Sequence, residues 1–162
     1  MKSQKFGRVV MTTSSSGLYG NFGQSNYGAA KLGLVGLMNC LRLESERDNI
    51  RINCLAPTAW SRMTADLMPP EAAAFFKPEA VAAGIVQLCT DDAPNGMTLE
   101  AGAGYFSKVA IVEGRGVGLY LDASAELVAE KWNEITDMSA ARTFSAAPEV
   151  SNAIVTKYNA GL

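Results

Sequence analysis

The sequence predicts an α/β fold built around a parallel sheet, and two strands and one helix support this prediction. Phe6–Thr13 and Ile50–Leu55 are short, nearly continuous apolar segments, as expected of strands that are covered on both faces. Gln24–Arg47 lies between them and has apolar residues at intervals of three and four, which indicates an amphipathic helix. Strand, helix and strand form a βαβ unit, so we expect parallel strands, with the first strand central in the sheet.

The remaining elements are predicted from weaker patterns. The inward face of the long helix is predicted to consist of Ala30, Leu34, Leu37, Met38 and Leu41. Pro57–Pro70 is predicted to be a loop that covers a site beyond the end of the second strand. A helix over Pro78–Leu88 and a third strand region over Met97–Phe106 follow. Two amphipathic helices, Ala123–Ile135 and Glu149–Tyr158, are expected near the C-terminus.

Composition narrows the class of protein. The 162 residues are 48% hydrophobic and 19% charged with a net charge of -2, which is typical of a globular domain. No basic stripe is present, so we expect neither nucleic acid nor a membrane surface as a partner. Cys40, Cys54 and Cys89 form no C-x-x-C pair, which favours a reducing compartment. No apolar leader opens the sequence and Ala160-Gly161-Leu162 lacks the basic residue of a peroxisomal address, so a cytoplasmic location is expected.

The sequence contains no histidine. This excludes a Ser-His-Asp triad, a Cys-His pair and any metal site with histidine ligands. We therefore expect no metal, and the chemistry of the chain has to rest on other side chains.

Tyr27 and Lys31 are the strongest candidates for that chemistry. They lie four positions apart near the start of the long helix, so their side chains share one face. A phenol exchanges protons near neutral pH when a fixed cation stabilises the phenolate, and Lys31 is placed to do so. The alternative is a surface phenol beside a solvated lysine.

Ser14 is the third candidate. It follows the first predicted strand, where the chain turns into the glycine-rich loop Gly17–Gly23. Ligands of open α/β sheets bind at the carboxyl ends of the strands, so this hydroxyl emerges at the edge where a site is expected.

The order Ser14, Tyr27-x-x-x-Lys31 and then Asn53-Cys54-Leu55-Ala56-Pro57 resembles the short-chain dehydrogenase/reductase family. The sequence is more similar still to one branch of this family, the (3R)-hydroxyacyl-CoA dehydrogenases of peroxisomal multifunctional enzymes and their bacterial relatives. Three segments carry this closer likeness: Gly17-Leu18-Tyr19-Gly20-Asn21-Phe22-Gly23-Gln24-Ser25-Asn26-Tyr27, Ser61-Arg62-Met63-Thr64 and Glu100-Ala101-Gly102-Ala103-Gly104.

The resemblance implies a reaction and a set of roles. Tyr27 would be the acid/base, Lys31 would assist it and bind the nicotinamide ribose, and Ser14 would orient the reacting oxygen. The cofactor would be NAD or NADP, with NAD preferred, and the residues implied in binding it are Tyr27, Lys31, Pro57, Thr58 and Ala59. The substrate would be of the acyl-CoA type, a (3R)-3-hydroxyacyl-CoA oxidised to the 3-oxoacyl-CoA. Relatives assemble through the long helix and the last strand, so a homo-oligomer is expected.

The resemblance also implies that the sequence corresponds to the C-terminal portion of a Rossmann-like, doubly wound parallel sheet with a helical C-terminal tail. The glycine-rich turn that holds the cofactor phosphates in this family has no counterpart in the 162 residues. We therefore expect residues 1–106 to be the catalytic half, without its N-terminal nucleotide-binding half, and residues 107–162 to be a mainly helical extension.

Two other functions stay open at this stage. One is a 3-oxoacyl thioester reductase that uses NADPH, which would employ the same residues in the opposite direction. The other belongs to a different class, a non-catalytic remnant or interaction module of the same fold.

Overall fold

A four-stranded sheet forms the centre of the first part of the chain in the structure, a computed structural model that describes residues 1–160. Its strands are β1 (Gly7–Thr12), β2 (Ile50–Thr58), β3 (Thr98–Gly102) and β4 (Tyr105–Val109), in the spatial order β1-β2-β3-β4. β1, β2 and β3 are parallel, and β4 is antiparallel to β3. The α/β fold predicted from the sequence is confirmed, with a sheet that is mostly parallel.

The position of β1 corrects one expectation. Its apolar composition predicts a central strand, whereas it pairs only with β2 among the described residues and lies at an edge of the sheet. Accordingly, only Gly7 of this strand is buried and the remaining residues are half-buried or exposed. An apolar strand with one open edge is a template for pairing with another segment.

Helices cover both faces of the sheet. α1 (Ser15–Tyr19) and α2 (Ser25–Ser45) follow β1, and α3 (Pro78–Gln87) precedes β3. One core cluster joins α2 to residues such as Val9 and Ile52, and a second joins α3 to Val10 and Leu55. Because neighbouring residues of a strand point to opposite faces, α2 and α3 pack on opposite sides of the sheet, as in a doubly wound fold.

The predicted inward face of α2 is correct only in part. Met38 is buried and packs in the core, but Ala30 and Leu37 are exposed, and Val35 takes the buried position instead. Helix periodicity allowed either neighbouring stripe because α2 carries apolar residues on several sides.

The third strand region divides into a hairpin. Met97–Phe106 is predicted as a single strand, but the chain reverses at Ala103-Gly104 between β3 and β4. Both turn residues have positive φ, 51° for Ala103 and 77° for Gly104, as two-residue hairpin turns require. The chain after β4 does not extend a strand, since among the described residues only an isolated bridge between Glu113 and Arg142 follows.

Two short helices and one longer helix lie among the described residues of the second part of the chain. α4 (Ala125–Glu130) and α5 (Trp132–Ile135) replace the single helix predicted over Ala123–Ile135, and α6 (Ala147–Ala160) extends the predicted Glu149–Tyr158 at both ends. Single 3-10 turns occur at Lys2–Gln4, Glu46–Asp48, Ala65–Leu67, Pro70–Ala74 and Tyr120–Asp122. Contacts divide the chain into two compact units, Met1–Val109 and Ala110–Leu162. The last two residues of the predicted C-terminal extension, 161–162, lie outside the described residues. They also belong to the Ala160-Gly161-Leu162 sequence that was compared with a peroxisomal address.

No helix within residues 1–160 combines the length and the apolar character that crossing a lipid bilayer requires.

Candidate active site

Tyr27 and Lys31 lie on one face of α2, as their spacing predicts. The Lys31 Nζ is 5.6 Å from the centroid of the Tyr27 ring, so the cation lies over the phenol. The Tyr27 side chain is 43% exposed, which leaves it open to a ligand from outside the fold. A phenol and a fixed ammonium are thus brought together at the start of a long helix.

Lys31 is held by the end of β1. Its Nζ donates a hydrogen bond of 2.9 Å to the carbonyl oxygen of Thr12, the last residue of that strand. The buried hydroxyl of Thr13 donates a bond of 2.7 Å back to the carbonyl oxygen of Lys31. Two hydrogen bonds in opposite directions therefore fix α2 to the carboxyl end of β1, where ligands of such sheets bind.

Ser14 is the residue that follows this junction and it caps α1. Its Oγ accepts a hydrogen bond of 3.2 Å from the Ser16 amide, so its hydroxyl proton remains free to be donated to another group. The short helix is a correction, because the sequence predicts turn and loop from Ser14 onward. The signal was weak, since five residues with two serines and a glycine rarely form a helix without tertiary support.

Gly17 explains how α1 approaches α2 so closely. A Cβ at this position would lie 2.8 Å from the Leu32 amide nitrogen and 2.9 Å from the Lys31 Cβ. Contacts of this length are prohibitive, so only glycine permits the packing that brings the helix capped by Ser14 against the turn that carries Lys31. The sequence predicts Gly17 only as a loop residue, and its packing role is apparent from the structure.

Asn53 performs a structural task. Its fully buried side chain donates a hydrogen bond of 2.8 Å to the Pro94 carbonyl oxygen and accepts one of 2.9 Å from the Met97 amide. These bonds fix the segment that leads into β3, so the polar groups of Asn53 are engaged by the backbone.

Pro57, Thr58 and Ala59 lie where β2 ends, beyond the last pair of β1 and β2. Pro57 and Thr58 are strand residues rather than the start of the predicted loop, and they pair with Ala101 and Gly102. Pro57 is tolerated there because β1 stops opposite Leu55, so no ladder bond to β1 is lost. Their role in binding a cofactor stays a prediction.

The segment after β2 is held by its own polar groups. The Thr64 Oγ1 donates 2.6 Å to the Ala59 carbonyl oxygen and accepts 2.8 Å from the Ser61 amide. The Trp60 amide donates 2.6 Å to the Phe76 carbonyl oxygen, which fixes the backbone at the tryptophan. Specific hydrogen bonds therefore order this part of Pro57–Pro70, the loop predicted to cover the site.

Tyr19 and Glu100 form a contact that the sequence did not indicate. The Tyr19 hydroxyl donates a long hydrogen bond of 3.5 Å to a Glu100 carboxylate oxygen. Desolvation, together with the nearby negative charge of Glu100, raises the pKa of the Tyr19 phenol above its ordinary value. A raised pKa is opposite to what a proton-exchanging phenol needs.

Within residues 1–160, no three side chains of the cysteine, aspartate or glutamate type lie together so that they could hold a metal ion.

Comparison with known proteins connects this geometry to a family. A family model described as short chain dehydrogenase matches residues 1–71, which include the Ser14, Tyr27 and Lys31 positions. A short-chain type dehydrogenase/reductase of Mycobacterium tuberculosis is 49% identical over 142 residues, covering 87% of this chain and 50% of the relative. The chain is related to the short-chain dehydrogenases/reductases. The resemblance stated from the sequence is confirmed.

Peroxisomal multifunctional enzyme type 2 of Drosophila melanogaster is another member of this group of relatives. Its sequence is 41% identical over 160 residues, covering 96% of this chain and 27% of the fly enzyme. The solved full-length fly structure superposes with a TM-score of 0.85 over 96% of this chain and 29% of the fly chain. A 3-oxoacyl-[acyl-carrier-protein] reductase of Aggregatibacter actinomycetemcomitans is 46% identical over 57 residues, covering 35% of this chain and 24% of the reductase. The chain thus spans half or less of the length of these short-chain dehydrogenase relatives.

Proposed function

We propose that this chain supplies the catalytic half of an oxidoreductase that transfers a hydride between a nicotinamide cofactor and a secondary alcohol or ketone. The observation that carries the proposal is the fixed position of Lys31, 5.6 Å from the Tyr27 ring centroid and bonded to Thr12 at the carboxyl end of β1. A proton-exchanging phenol with a held cation, beside a strand end, suits alcohol oxidation without a metal.

Each side chain has a distinct task in this proposal. Tyr27 takes the proton of the substrate hydroxyl, or returns it to a ketone in the reverse direction. Lys31 stabilises the phenolate through its charge and keeps its position through the Thr12 carbonyl. Ser14, whose Oγ is already oriented by the Ser16 amide, donates its proton to the reacting oxygen and holds it in place.

The residues present fit the nicotinamide end of a dinucleotide. After its bond to Thr12, the Lys31 ammonium retains two N–H donors, which suit the hydroxyls of a ribose. Pro57, Thr58 and Ala59 would line the nicotinamide from the end of β2. When bound, the nicotinamide supplies the acceptor or donor of the hydride. NAD is the preferred form in this proposal, and NADP is the alternative.

The adenosine and pyrophosphate end would need residues that this sequence does not provide. No Gly-x-x-x-Gly-x-Gly sequence occurs in the 162 residues, and the relatives extend well beyond the matched region. We propose a nucleotide-binding half that is either fused to or associated with this chain, next to the open edge of β1. Titration of NAD into the 162-residue chain should then give weak binding. Micromolar affinity in a monodisperse monomer would contradict this part of the proposal.

The substrate we propose is a (3R)-3-hydroxyacyl-CoA, oxidised to the 3-oxoacyl-CoA. Two observations support this substrate. One is the sequence at Asn21-Phe22-Gly23-Gln24 and at Ser61-Arg62-Met63-Thr64, and the other is the similarity to peroxisomal multifunctional enzymes along nearly the whole chain. The completed enzyme is this chain together with its nucleotide-binding half. The test is the rate at which it reduces NAD with (3R)- and (3S)-hydroxyacyl-CoA at matched concentrations. Preference for the (3R) form supports the proposal. Equal rates, or better rates with a sugar alcohol, would contradict it.

A second candidate is the reduction of a 3-oxoacyl thioester with NADPH. The match to a 3-oxoacyl-[acyl-carrier-protein] reductase favours it, although that match covers only 35% of the chain. Comparing NADH with NADPH in the reverse reaction separates the two, because only the second candidate requires NADPH to be the faster donor. Absence of turnover in both directions from a folded, cofactor-binding enzyme would favour the third possibility, a non-catalytic remnant.

Assembly and location follow as further parts of the proposal. A homo-oligomer is expected, and light scattering on the purified protein tests it directly. A cytoplasmic location stays a prediction, since several relatives are named peroxisomal, and fractionation of the source cells would decide it.

A further inference from the structure

A cavity in the second unit has a chemistry that the proposed reaction does not use. It measures about 340 Å³ and lies between the segment 113–120, Arg142 and one face of α6. Ligand pockets in proteins commonly range from about 300 to 1,000 Å³, so this one could hold a small organic molecule.

The charged groups that line the cavity are mostly positive. Arg115, Arg142 and Lys157 face one carboxylate, that of Glu113. The Lys157 Nζ donates one hydrogen bond to the Arg115 carbonyl oxygen, which fixes the ammonium and leaves two N–H donors. A site with this charge balance favours a ligand that carries more than one negative charge.

Arg142 is positioned by the fold. Its backbone exchanges two hydrogen bonds of 2.9 Å with Glu113, and its guanidinium carbon lies 4.6 Å from the centroid of the Phe144 ring. The nearest carboxylate oxygen of Glu113 is 3.9 Å from Nη2, which is too long for a hydrogen bond. A guanidinium held over a ring and beside a distant carboxylate keeps its donor edge available.

Arg142 can present its guanidinium to a ligand. Its Nε is buried and has no hydrogen-bond partner in the described part of the chain, but its side chain as a whole is 39% exposed and lines the cavity. Guanidinium groups commonly pair with phosphate or carboxylate. An anion in the cavity would therefore meet the exposed part of this side chain.

Two tyrosines form the less polar part of the cavity. The rings of Tyr120 and Tyr158 meet edge to face at 5.3 Å, and the Tyr120 hydroxyl donates 3.1 Å to the Lys157 carbonyl oxygen. Tyr120 has a φ of 53°, a left-handed conformation that is costly for a bulky residue and persists only where surrounding contacts impose it. The ring is therefore fixed in its place at the cavity.

We propose that this cavity binds a small organic phosphate monoester. Arg115, Arg142 and Lys157 would hold the phosphate, and Tyr120 and Tyr158 would contact the organic body. A phosphate monoester carries about −1.5 to −2 charge at pH 7, which matches three cations and one carboxylate better than a monocarboxylate does. The cavity is also larger than a bare phosphate ion requires, so an organic body belongs to the ligand.

The test is calorimetric titration of the 162-residue chain with AMP as the probe, with inorganic phosphate and hexanoate for comparison. AMP should bind at one saturable site, more tightly than inorganic phosphate and far more tightly than hexanoate. Arg142→Gln should weaken AMP binding about 10-fold or more, and Arg115→Gln, which leaves the Glu113–Arg142 bridge intact, should also weaken it. Lys131→Gln is the matched control, since it removes one cation from the same unit outside the cavity.

Several results would overturn the proposal. One is the absence of saturable AMP binding, and another is equal affinity for AMP and hexanoate, which would remove the preference for a phosphate. If inorganic phosphate bound as tightly as AMP, the organic body would contribute nothing to binding. AMP affinity unchanged in both Arg115→Gln and Arg142→Gln, with circular dichroism matching the parent, would place any binding elsewhere.

Discussion

The two units of the chain achieve their structure in different ways. In Met1–Val109, a sheet satisfies most strand backbone groups and two helices bury apolar residues on opposite faces. In Ala110–Leu162, the described helices α4 and α5 are each six residues or fewer, and individual contacts such as the Glu113–Arg142 bridge organise the backbone. The second unit also contains the 14-residue α6, so the contrast between the units lies in the sheet, of which no strand lies among the described residues of the second unit.

The difference also separates two kinds of chemistry. The candidate active site of the first unit rests on secondary structure, because a helix face sets the Tyr27–Lys31 relation and a strand end holds Lys31. The proposed phosphate site of the second unit combines side chains from the irregular segment 113–120 and Arg142 with residues of α6. We therefore expect substitutions in the first unit to separate catalysis from stability cleanly, and those in the second to affect local order.

Lys31→Ala should give the largest effect among the variants that sharpen this comparison. Removing the cation should lower the turnover of the completed enzyme by about 100-fold or more, because phenolate stabilisation is lost. The remaining activity should require higher pH. The measurement is a pH–rate profile, with Lys108→Ala on β4 as a control for loss of a lysine. An unchanged profile would count against the role of Lys31.

Asn53→Leu should have the largest effect on stability. The substitution removes the partners of the Pro94 carbonyl oxygen and the Met97 amide from a fully buried position, and should cost about 2–4 kcal/mol of unfolding free energy. Urea denaturation measures this cost. The exposed Asn133 of α5 gives the matched control Asn133→Leu, expected to change stability by less than about 0.5 kcal/mol. Equal costs for both variants would mean that the two hydrogen bonds of Asn53 add no measurable stability.

Ser124→Ala should have a smaller and local effect. The Ser124 Oγ accepts 3.2 Å from the Leu127 amide and caps α4, and its loss should cost about 1 kcal/mol. Hydrogen exchange should become faster in α4 and stay unchanged in β2, with Ser151→Ala on α6 as the control. Faster exchange in both regions would show that the two units unfold together.

Asp48→Asn should have the smallest effect, present above about pH 4 and lost at more acidic pH. The Lys5 ammonium bonded to this carboxylate holds the pKa of Asp48 below its ordinary value of 3.8. A carboxylate whose pKa is lowered on folding contributes stability above the unfolded value and loses it as pH falls through the folded value. The parent should therefore lose this contribution below about pH 4, and Asp48→Asn should show a flatter dependence there. Parallel melting curves for parent and variant from pH 5 to pH 2 would contradict the pairing.

The same comparison explains what the sequence could reveal. The bounds of α2 and the parallel pairing of β1 and β2 follow from hydrophobic periodicity and from the rules of βαβ units, and both were predicted. The hairpin at Ala103-Gly104 was missed because alanine seldom adopts a positive φ, so the turn lacked its usual signal. The break between α4 and α5 at Lys131 has no proline or glycine to mark it.

The site shows the same limit. The spacing of Tyr27 and Lys31 fixes their shared helix face, so this relation was predictable. The bond from Lys31 to the Thr12 carbonyl and the close approach at Gly17 depend on how two elements pack, which periodicity does not encode. The pairing of Glu113 with Arg142 joins positions 29 residues apart through a single bridge, and no local pattern marks it.

Tyr27→Phe in the completed enzyme tests the central claim most directly. Only the phenolic hydroxyl is removed, so circular dichroism should match the parent closely, while turnover should fall by about 10²- to 10⁴-fold. Tyr105→Phe, which removes an exposed hydroxyl on β4, should keep the parental rate. Turnover of Tyr27→Phe within about twofold of the parent, in a folded protein, would contradict the assignment of Tyr27 as the acid/base.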